Sequence, residues 1–438
     1  MASQRQYGSV TAISIVVANM IGTGVFTSLG FQLLNIQSGF AILALWAAGG
    51  VAAFCGAVSY AELAAALPRS GGEYHFVSRI YHPAAGFVSG WVSATVGFAA
   101  PTALAAMTFA AYLSSALGGE ASADFVKPAA CALVISLAVL HSWRRAASGG
   151  FQTVFTTIKA LVIIGFCLAA FFIADDRQAI SFAPHAGDLG LILSEPFAVS
   201  LIYVSFAYTG WNAATYITGE IKNAPARLPL VLALGSGLVT ILYVSLNAAF
   251  LMLAPVEALA GKIEIGFIAA QAMFGERAAA ATGVVMAVLL VSTVSAMTIA
   301  GPRVLSSMGE DYPALRVLSA KTRDAIPRRA IFLQAGLAIV FILTSSFQSI
   351  LVFAGALVAL NSFITVIGLF VLRLREPSLE RPYRVFAYPL APLTYIALTA
   401  WTLWFTLRAR PQQGLVILAV ILVGFGVYRL AARRRSNA

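Results

Sequence analysis

The chain has 438 residues, of which 60% are hydrophobic and 10% charged, where soluble domains carry about 25% charged residues. That balance excludes an ordinary soluble protein and indicates a helical protein that crosses a membrane many times. A net charge of +11 would suggest nucleic acid in a soluble chain; in a membrane protein the same excess sits in cytoplasmic loops and fixes topology, so no nucleic-acid partner is expected.

Apolar runs of spanning length predict about twelve transmembrane helices, at 9–34, 40–67, 84–117, 126–143, 152–174, 194–219, 230–254, 277–306, 330–344, 348–372, 387–407 and 412–431. Ser3, Gln4, Arg5 and Gln6 lead straight into the first of these without a small-residue cleavage site, so the first segment is expected to be retained as a span. It carries Gly22-Thr23-Gly24 at its centre. Glycine weakens a helix interior by roughly 1 kcal/mol relative to alanine, and in lipid a loosened backbone survives only where protein or a cavity covers it.

Between the second and third segments, Glu62 and Glu73 are read either as partners of Arg69 or Arg79 that close an inner gate or as solvated loop charges. The third segment is overlong and is expected to tilt. Lys159, in the fifth, is the one clearly intramembrane charge. A charge at a helix centre costs on the order of 3 kcal/mol on insertion scales, so Lys159 either snorkels to the cytoplasmic interface or serves a function. The sixth segment, "SFAYTGWNAATYITGE", is again interrupted by a glycine, Gly210, with Glu195 and Glu220 as expected end caps. Trp46, Trp91, Trp143, Trp401 and Trp404 read as packing or interface anchors, and Trp211 either lines a pocket or packs. The gap between the ninth and tenth segments is very short.

Both termini are placed in the cytoplasm. Most Lys and Arg residues then lie inside, including the runs from Arg303 to Arg329, Arg373 to Arg384 and Arg429 to Arg435; Lys127, Arg177, Lys262, Arg277, Arg408 and Arg410 lie outside. On this topology the first and sixth segments start on opposite sides, so two groups of five helices run in opposite senses. Taken alone, Gly22-Thr23-Gly24 reads better as close helix packing, and no strand surrounds it to suggest a nucleotide loop. The matched break at Gly210 reverses that preference and points to an inverted-repeat transporter. Unwinding would free N–H groups at one half-helix end for a carboxylate and carbonyls at the other for an ammonium, the two charges of an α-amino acid.

Cys55, Cys131 and Cys167 lie in apolar segments without CxxC spacing, and His75, His82, His141 and His185 are scattered. Neither a disulfide framework nor a metal site is expected. No cofactor is indicated, and no cluster within the spans suits a membrane enzyme.

"ANMIGTGVF" (18–26), "GAVSYAELAAALPRSGGEYHF" (56–76), "FQTVFTTIK" (151–159), "FAYTGWNAATYITGEIKNAPARLP" (206–229) and, more loosely, "VSTVSAMTIAGPRVLSSMGED" (291–311) resemble the amino acid–polyamine–organocation superfamily. The third and fourth stretches are similar to its L-type branch. The resemblance implies an all-α polytopic protein with the LeuT-type 5+5 inverted repeat, the first and sixth helices interrupted. Residues 1–174 are then the first repeat, 175–375 the second, and 376–438 two accessory helices with a basic tail. It implies that Thr23 and Gly24 hold a substrate carboxylate through N–H groups, with Gly22 permitting the bend. Carbonyls near Ile21, Phe206, Ala207 and Thr209 would hold the amine beside Gly210. Phe206 would gate the site and Asn212 would help build it. Many L-type members carry glycine where this chain has Thr209, which implies a smaller substrate. A lysine matching Lys159 reaches toward the first and eighth helices, where sodium sits in sodium-coupled relatives; Ser292 and Ser295 are its candidate partners.

The function implied is sodium-independent transport of small or medium neutral L-amino acids by alternating access, usually exchange. Two alternatives stay open: a proton-coupled symporter using Lys159, and a cationic amino acid or polyamine carrier, although no carboxylate lies in the third, eighth or tenth segment for a distal charge. L-type animal members pair with a single-span glycoprotein through a cysteine between the third and fourth helices. The loop "LGGEASADF" (117–125) has none, so no covalent heavy chain is expected. The expected location is a bacterial inner membrane.

Overall fold

The computed structural model describes residues 8–436 except 70, 144–148, 175–176, 216–220 and 323–325. Arg5, Arg144, Arg145, Glu220 and Arg323 lie outside the described residues. Every long element among those described is helical.

The first segment divides into α1 (Ser9–Met20) and α2 (Gly24–Gln32). Ile21 leaves the helical region at φ −72°, ψ 79°, and the Gly22 N–H turns back onto the Met20 carbonyl at 2.7 Å, an inverse γ-turn. The break therefore covers Ile21 to Thr23, and Gly24 already opens the second half-helix. α3 (Gly39–Ala66) begins at a Ser38 cap whose hydroxyl accepts from the Ala41 N–H. Gly71, at φ 134°, turns the chain as only glycine readily does into the short α4 (Gly72–Ile80).

The overlong third segment is not one helix. α5 (Pro83–Val92) runs into a π-helical turn at Ser93–Gly97 and then into α6 (Ala99–Ala116). Such turns shift the helical register within a span; here the Thr95 hydroxyl donates to the Trp91 carbonyl at 2.7 Å. α7 (Ala123–Trp143) and α8 (Gly149–Phe172) complete the first group. After the short α9 (Asp188–Ile192) comes α10 (Glu195–Ala207), capped by the Ser194 hydroxyl, with Glu195 in its first turn.

Then follow α11 (Ala224–Leu253), the short α12 (Val256–Leu259) and α13 (Ile265–Asp311), which bends at Gly275, φ 78°. The short α14 (Arg316–Ser319), α15 (Arg328–Thr344) and α16 (Phe347–Arg375) are next. Only Ser345 and Ser346 separate the last two, and the Ser346 hydroxyl caps α16 by accepting from the Ser349 N–H at 3.2 Å. α17 (Leu390–Ala409) and α18 (Pro411–Ser436) end the chain.

Among the described residues nine helices or helix pairs are long and apolar enough to cross a membrane. α8, α10 and α15 occupy the places of the expected fifth, sixth and ninth spans. The packing has two-fold character. α3 lies on α11, α6 on α13 and α7 on α15, each helix on its counterpart in the other group of five. The contact of α1 with α11 is mirrored by α10 with α3, and that of α1 with α8 by α10 with α16. This is the LeuT-type inverted repeat, with both interrupted helices at its centre.

Candidate functional site

The two interruptions touch each other. A Cβ on Gly24 would lie 2.5 Å from the Ala207 Cα, so the start of α2 rests directly on the end of α10. Gly210, at φ 101°, answers from the other side: a Cβ there would lie 2.6 Å from the Asn19 carbonyl oxygen near the end of α1. Small residues are needed at both points because backbone meets backbone. Gly22 differs, since a Cβ there would meet nothing nearer than the Met20 oxygen at 3.8 Å.

Thr23 and Gly24 are the N-cap and first residue of α2, which has no acidic side chain in its first turn. Their N–H groups have no carbonyl of a preceding turn to reach, and the first turn of α2 supplies no carboxylate to the positive end of the helix dipole. The carbonyl ends are more occupied. The Tyr243 hydroxyl, from α11, lies 2.5 Å from the Met20 oxygen and 3.2 Å from the Ala207 oxygen, tying the two breaks together. The Phe206 oxygen accepts from both the N–H (3.0 Å) and the hydroxyl (2.7 Å) of Thr209. Of the carbonyls singled out in the sequence, those of Phe206 and Ala207 are thus engaged within the chain, the first by the turn after α10 folding back on itself and the second by Tyr243. The sequence offered one signal for Tyr243, a lone phenol within an apolar helix.

Lys159 does not snorkel. It is 4% exposed, and its Nζ donates to the Thr293 hydroxyl on α13 at 2.6 Å. Neither expected serine is its partner: Ser292 donates to the Leu289 carbonyl, and Ser295 bonds the ring of His141 on α7. Helical geometry explains the difference, since neighbouring positions diverge by about 100° around the axis and Thr293 alone of the three faces α8.

The acidic residues of the first loop also find other partners. Glu62, fully buried, takes a two-pronged bond from Arg373 (2.8 and 2.6 Å) and the Val385 N–H (2.6 Å). Arg79 pairs instead with Glu376 at 2.7 Å. Glu73, 3% exposed, accepts on Oε1 from Tyr60 (2.6 Å), Ser362 (2.8 Å) and Asn212 (3.3 Å), and on Oε2 from Asn361. The Asn212 amide is therefore spent on Glu73 of α4. Burial pushes the Glu73 carboxyl above the usual range, while the bonds from Tyr60, Ser362 and Asn361 act against that rise.

Thr209 and Trp211 line a cavity of about 40 Å³ with Ser205, Ser362, Tyr395 and Thr399, on the side of α3, α16 and α17. Trp211 also packs edge-on against Tyr60, with ring centroids 4.7 Å apart. No group of histidine, cysteine and carboxylate residues suited to a metal occurs among the described residues.

Residues 7–426 match the family model described as amino acid permease. The chain is 29% identical to the mouse (Mus musculus) large neutral amino acids transporter small subunit 2, over 98% of this chain and 81% of the relative. It is 28% identical to the human (Homo sapiens) b(0,+)-type amino acid transporter 1, over 87% of this chain and 79% of the relative. It is 27% identical to the mouse Asc-type amino acid transporter 1, over 100% of this chain and 83% of the relative. The chain belongs to the amino acid permease family of the amino acid–polyamine–organocation superfamily, and it is an amino acid transporter of the membrane rather than an enzyme.

Proposed function

We propose that the protein carries small or medium neutral L-amino acids by sodium-independent exchange. The observation that carries this reading is the meeting of the two broken helices at Gly24 and Ala207. It sets the uncompensated N-terminus of α2 beside the end of α10. In this reading the Thr23 and Gly24 N–H groups take the substrate carboxylate, the carbonyls of Ile21 and Thr209 take the amine, and Phe206 and Gly210 frame the site. Lys159 on Thr293 supplies a fixed cation between α8 and α13 in place of sodium. The relatives include a large neutral amino acids transporter, which supports a neutral substrate.

Residues 1–174 and 175–375 are taken as the two repeats. We place the chain in a bacterial inner membrane with both termini cytoplasmic, working without a covalent heavy chain.

The test is uptake of labelled alanine into proteoliposomes, preloaded or not with unlabelled alanine, with and without sodium. Preloading should stimulate uptake at least tenfold and sodium should change nothing. Amides of the competing amino acids should inhibit poorly, because burying the amine without the carboxylate leaves the α2 N–H groups unmatched. Strict sodium dependence, strong competition by arginine, or amides as potent as their parent acids would each overturn this assignment.

A further inference from the structure

Among the described residues, no cation is hydrogen-bonded or ion-paired to Glu73. The elements around it offer only neutral groups: Tyr60 on α3, Asn361 and Ser362 on α16, Asn212 after α10, and the nearby Tyr395 phenol on α17. α5, packed on α4, contains no titratable side chain. The arginines at the end of α16 are used elsewhere, Arg373 on Glu62 and Arg375 on the Ile80 carbonyl. On α4 itself, Tyr74 bonds Asp311, Arg79 pairs with Glu376, and His75 lies against Phe76. A buried carboxylate held by hydrogen bonds alone is the arrangement that a proton can switch.

The geometry also supplies a route and a consequence. Ser362, which donates to Glu73, and Tyr395 both line the 40 Å³ cavity beside Thr209 and Trp211. That space has a mixed lining, with the Ser205, Thr209, Ser362, Tyr395 and Thr399 hydroxyls among apolar groups, and is large enough for one water molecule. Oε1 already has three donors while Oε2 has one, so Oε2 keeps a lone pair free. A neutral carboxyl is a much weaker acceptor than a carboxylate. The longest of the four bonds, from Asn212 at 3.3 Å, is the first to weaken, and it is the one that ties the inner loop to the interrupted helix.

We propose that Glu73 is a proton-binding site of this transporter, and that its protonation releases Asn212 and so couples proton binding to opening of the inner side. The proton passes from hydronium in the cavity to Oε2; one O–H bond breaks, another forms, and water is left. The proposal rests on the amino acid transport reading but not on sodium independence or on Lys159.

The experiment is counterflow of labelled alanine in proteoliposomes between pH 5 and pH 9, together with uptake driven by an imposed inward proton gradient. Wild type should show a single-proton transition in its exchange rate and at least threefold stimulation by the gradient. Glu73→Gln should exchange at a rate independent of pH and lose the gradient response. Tyr60→Phe, which removes a donor to the anion, should move the transition upward by about one pH unit while keeping the gradient response. That variant decides the matter should Glu73→Gln fail to fold. A gradient response surviving in Glu73→Gln, a transition unmoved in Tyr60→Phe, or a wild type indifferent to pH would overturn the proposal. Absence of any counterflow in the wild type would instead overturn the transport reading beneath it.

Discussion

Gly24 and Ala207 are in backbone contact: the hydrogen of Gly24 occupies the place where a Cβ would stand 2.5 Å from the Ala207 Cα and 2.6 Å from its Cβ. Neither neighbour is the mobile end of a side chain, so relief requires moving α2 or α10. Gly24→Ala is expected to lower the melting temperature of the detergent-solubilised protein and to reduce alanine counterflow more than tenfold. Gly22→Ala meets open space and should fold normally. A bulky Gly22→Leu should fold as well but lose binding if substrate occupies the proposed site at the break. Thermal melts and substrate-binding isotherms on the three variants separate these outcomes. Equal tolerance of alanine at both positions would contradict the contact.

Tyr243 gives a second expectation. Its single hydroxyl proton serves the Met20 carbonyl at 2.5 Å, with the Ala207 carbonyl 3.2 Å away, and the side chain is fully buried. Tyr243→Phe keeps the ring packing against Trp46 and Tyr208 but leaves the Met20 carbonyl with only its γ-turn bond from the Gly22 N–H, a loss of about 1 kcal/mol for the missing hydrogen bond. Transport should fall at least tenfold while the protein stays folded, since the lost bond joins the two breaks and not the scaffold. Counterflow and a melting curve on the purified variant check this. Unimpaired transport would mean that the phenol is only packing.

Glu62 and Arg373 concern the scaffold. The pair joins the C-terminal part of α3 to that of α16, with the Val385 N–H as a third donor. Glu62 is fully buried but the Arg373 side chain is 23% exposed, so removing the carboxylate should cost about 3 kcal/mol, the low end for a buried pair. Glu62→Gln should therefore reduce stability strongly, visible as a drop in the melting temperature and in expression. Exchanging the two residues should not restore it, since an arginine at position 62 cannot accept from Val385. Full recovery in the exchanged double variant would show that the pair alone matters.

The fold was legible where periodicity and composition carry it. Apolar runs of spanning length and two mid-span glycines were enough to indicate a polytopic helical protein with a break in its first and sixth helices. The π turn at Ser93–Gly97 was not legible, because nothing in an apolar run marks a change of hydrogen-bond register. The partners of the charged residues were also hidden. Glu62 bonds a residue 311 positions away, and Asn361 and Ser362 reach Glu73 across a similar distance; no local spacing announces such pairs. Thr293 was overlooked beside Ser292 and Ser295 because three adjacent polar positions look alike until the helix phase is known. The break at Ile21 to Thr23 was readable because glycine itself is the signal.

Lys159 provides the final expectation. Its ammonium is buried between α8 and α13 and donates to Thr293 at 2.6 Å, while α8 also packs on α1. A charge in this setting is retained at a cost on the order of 3 kcal/mol, so its removal should not harm folding. If the ammonium replaces a sodium ion in holding α8 and α13 together, Lys159→Ala should lose most transport while expressing normally. Lys159→Arg should recover little, because a planar fork cannot take the place of a compact ammonium beside one hydroxyl. Thr293→Val, which removes the acceptor and keeps the shape, should mimic the alanine variant in part, whereas Ser292→Ala and Ser295→Ala should not. Initial alanine uptake in sodium-free and sodium-containing buffer, for wild type and all five variants, measures this. Full activity in Lys159→Ala would remove the lysine from the transport cycle, and rescue of that variant by sodium would show that the ion and the ammonium share one place.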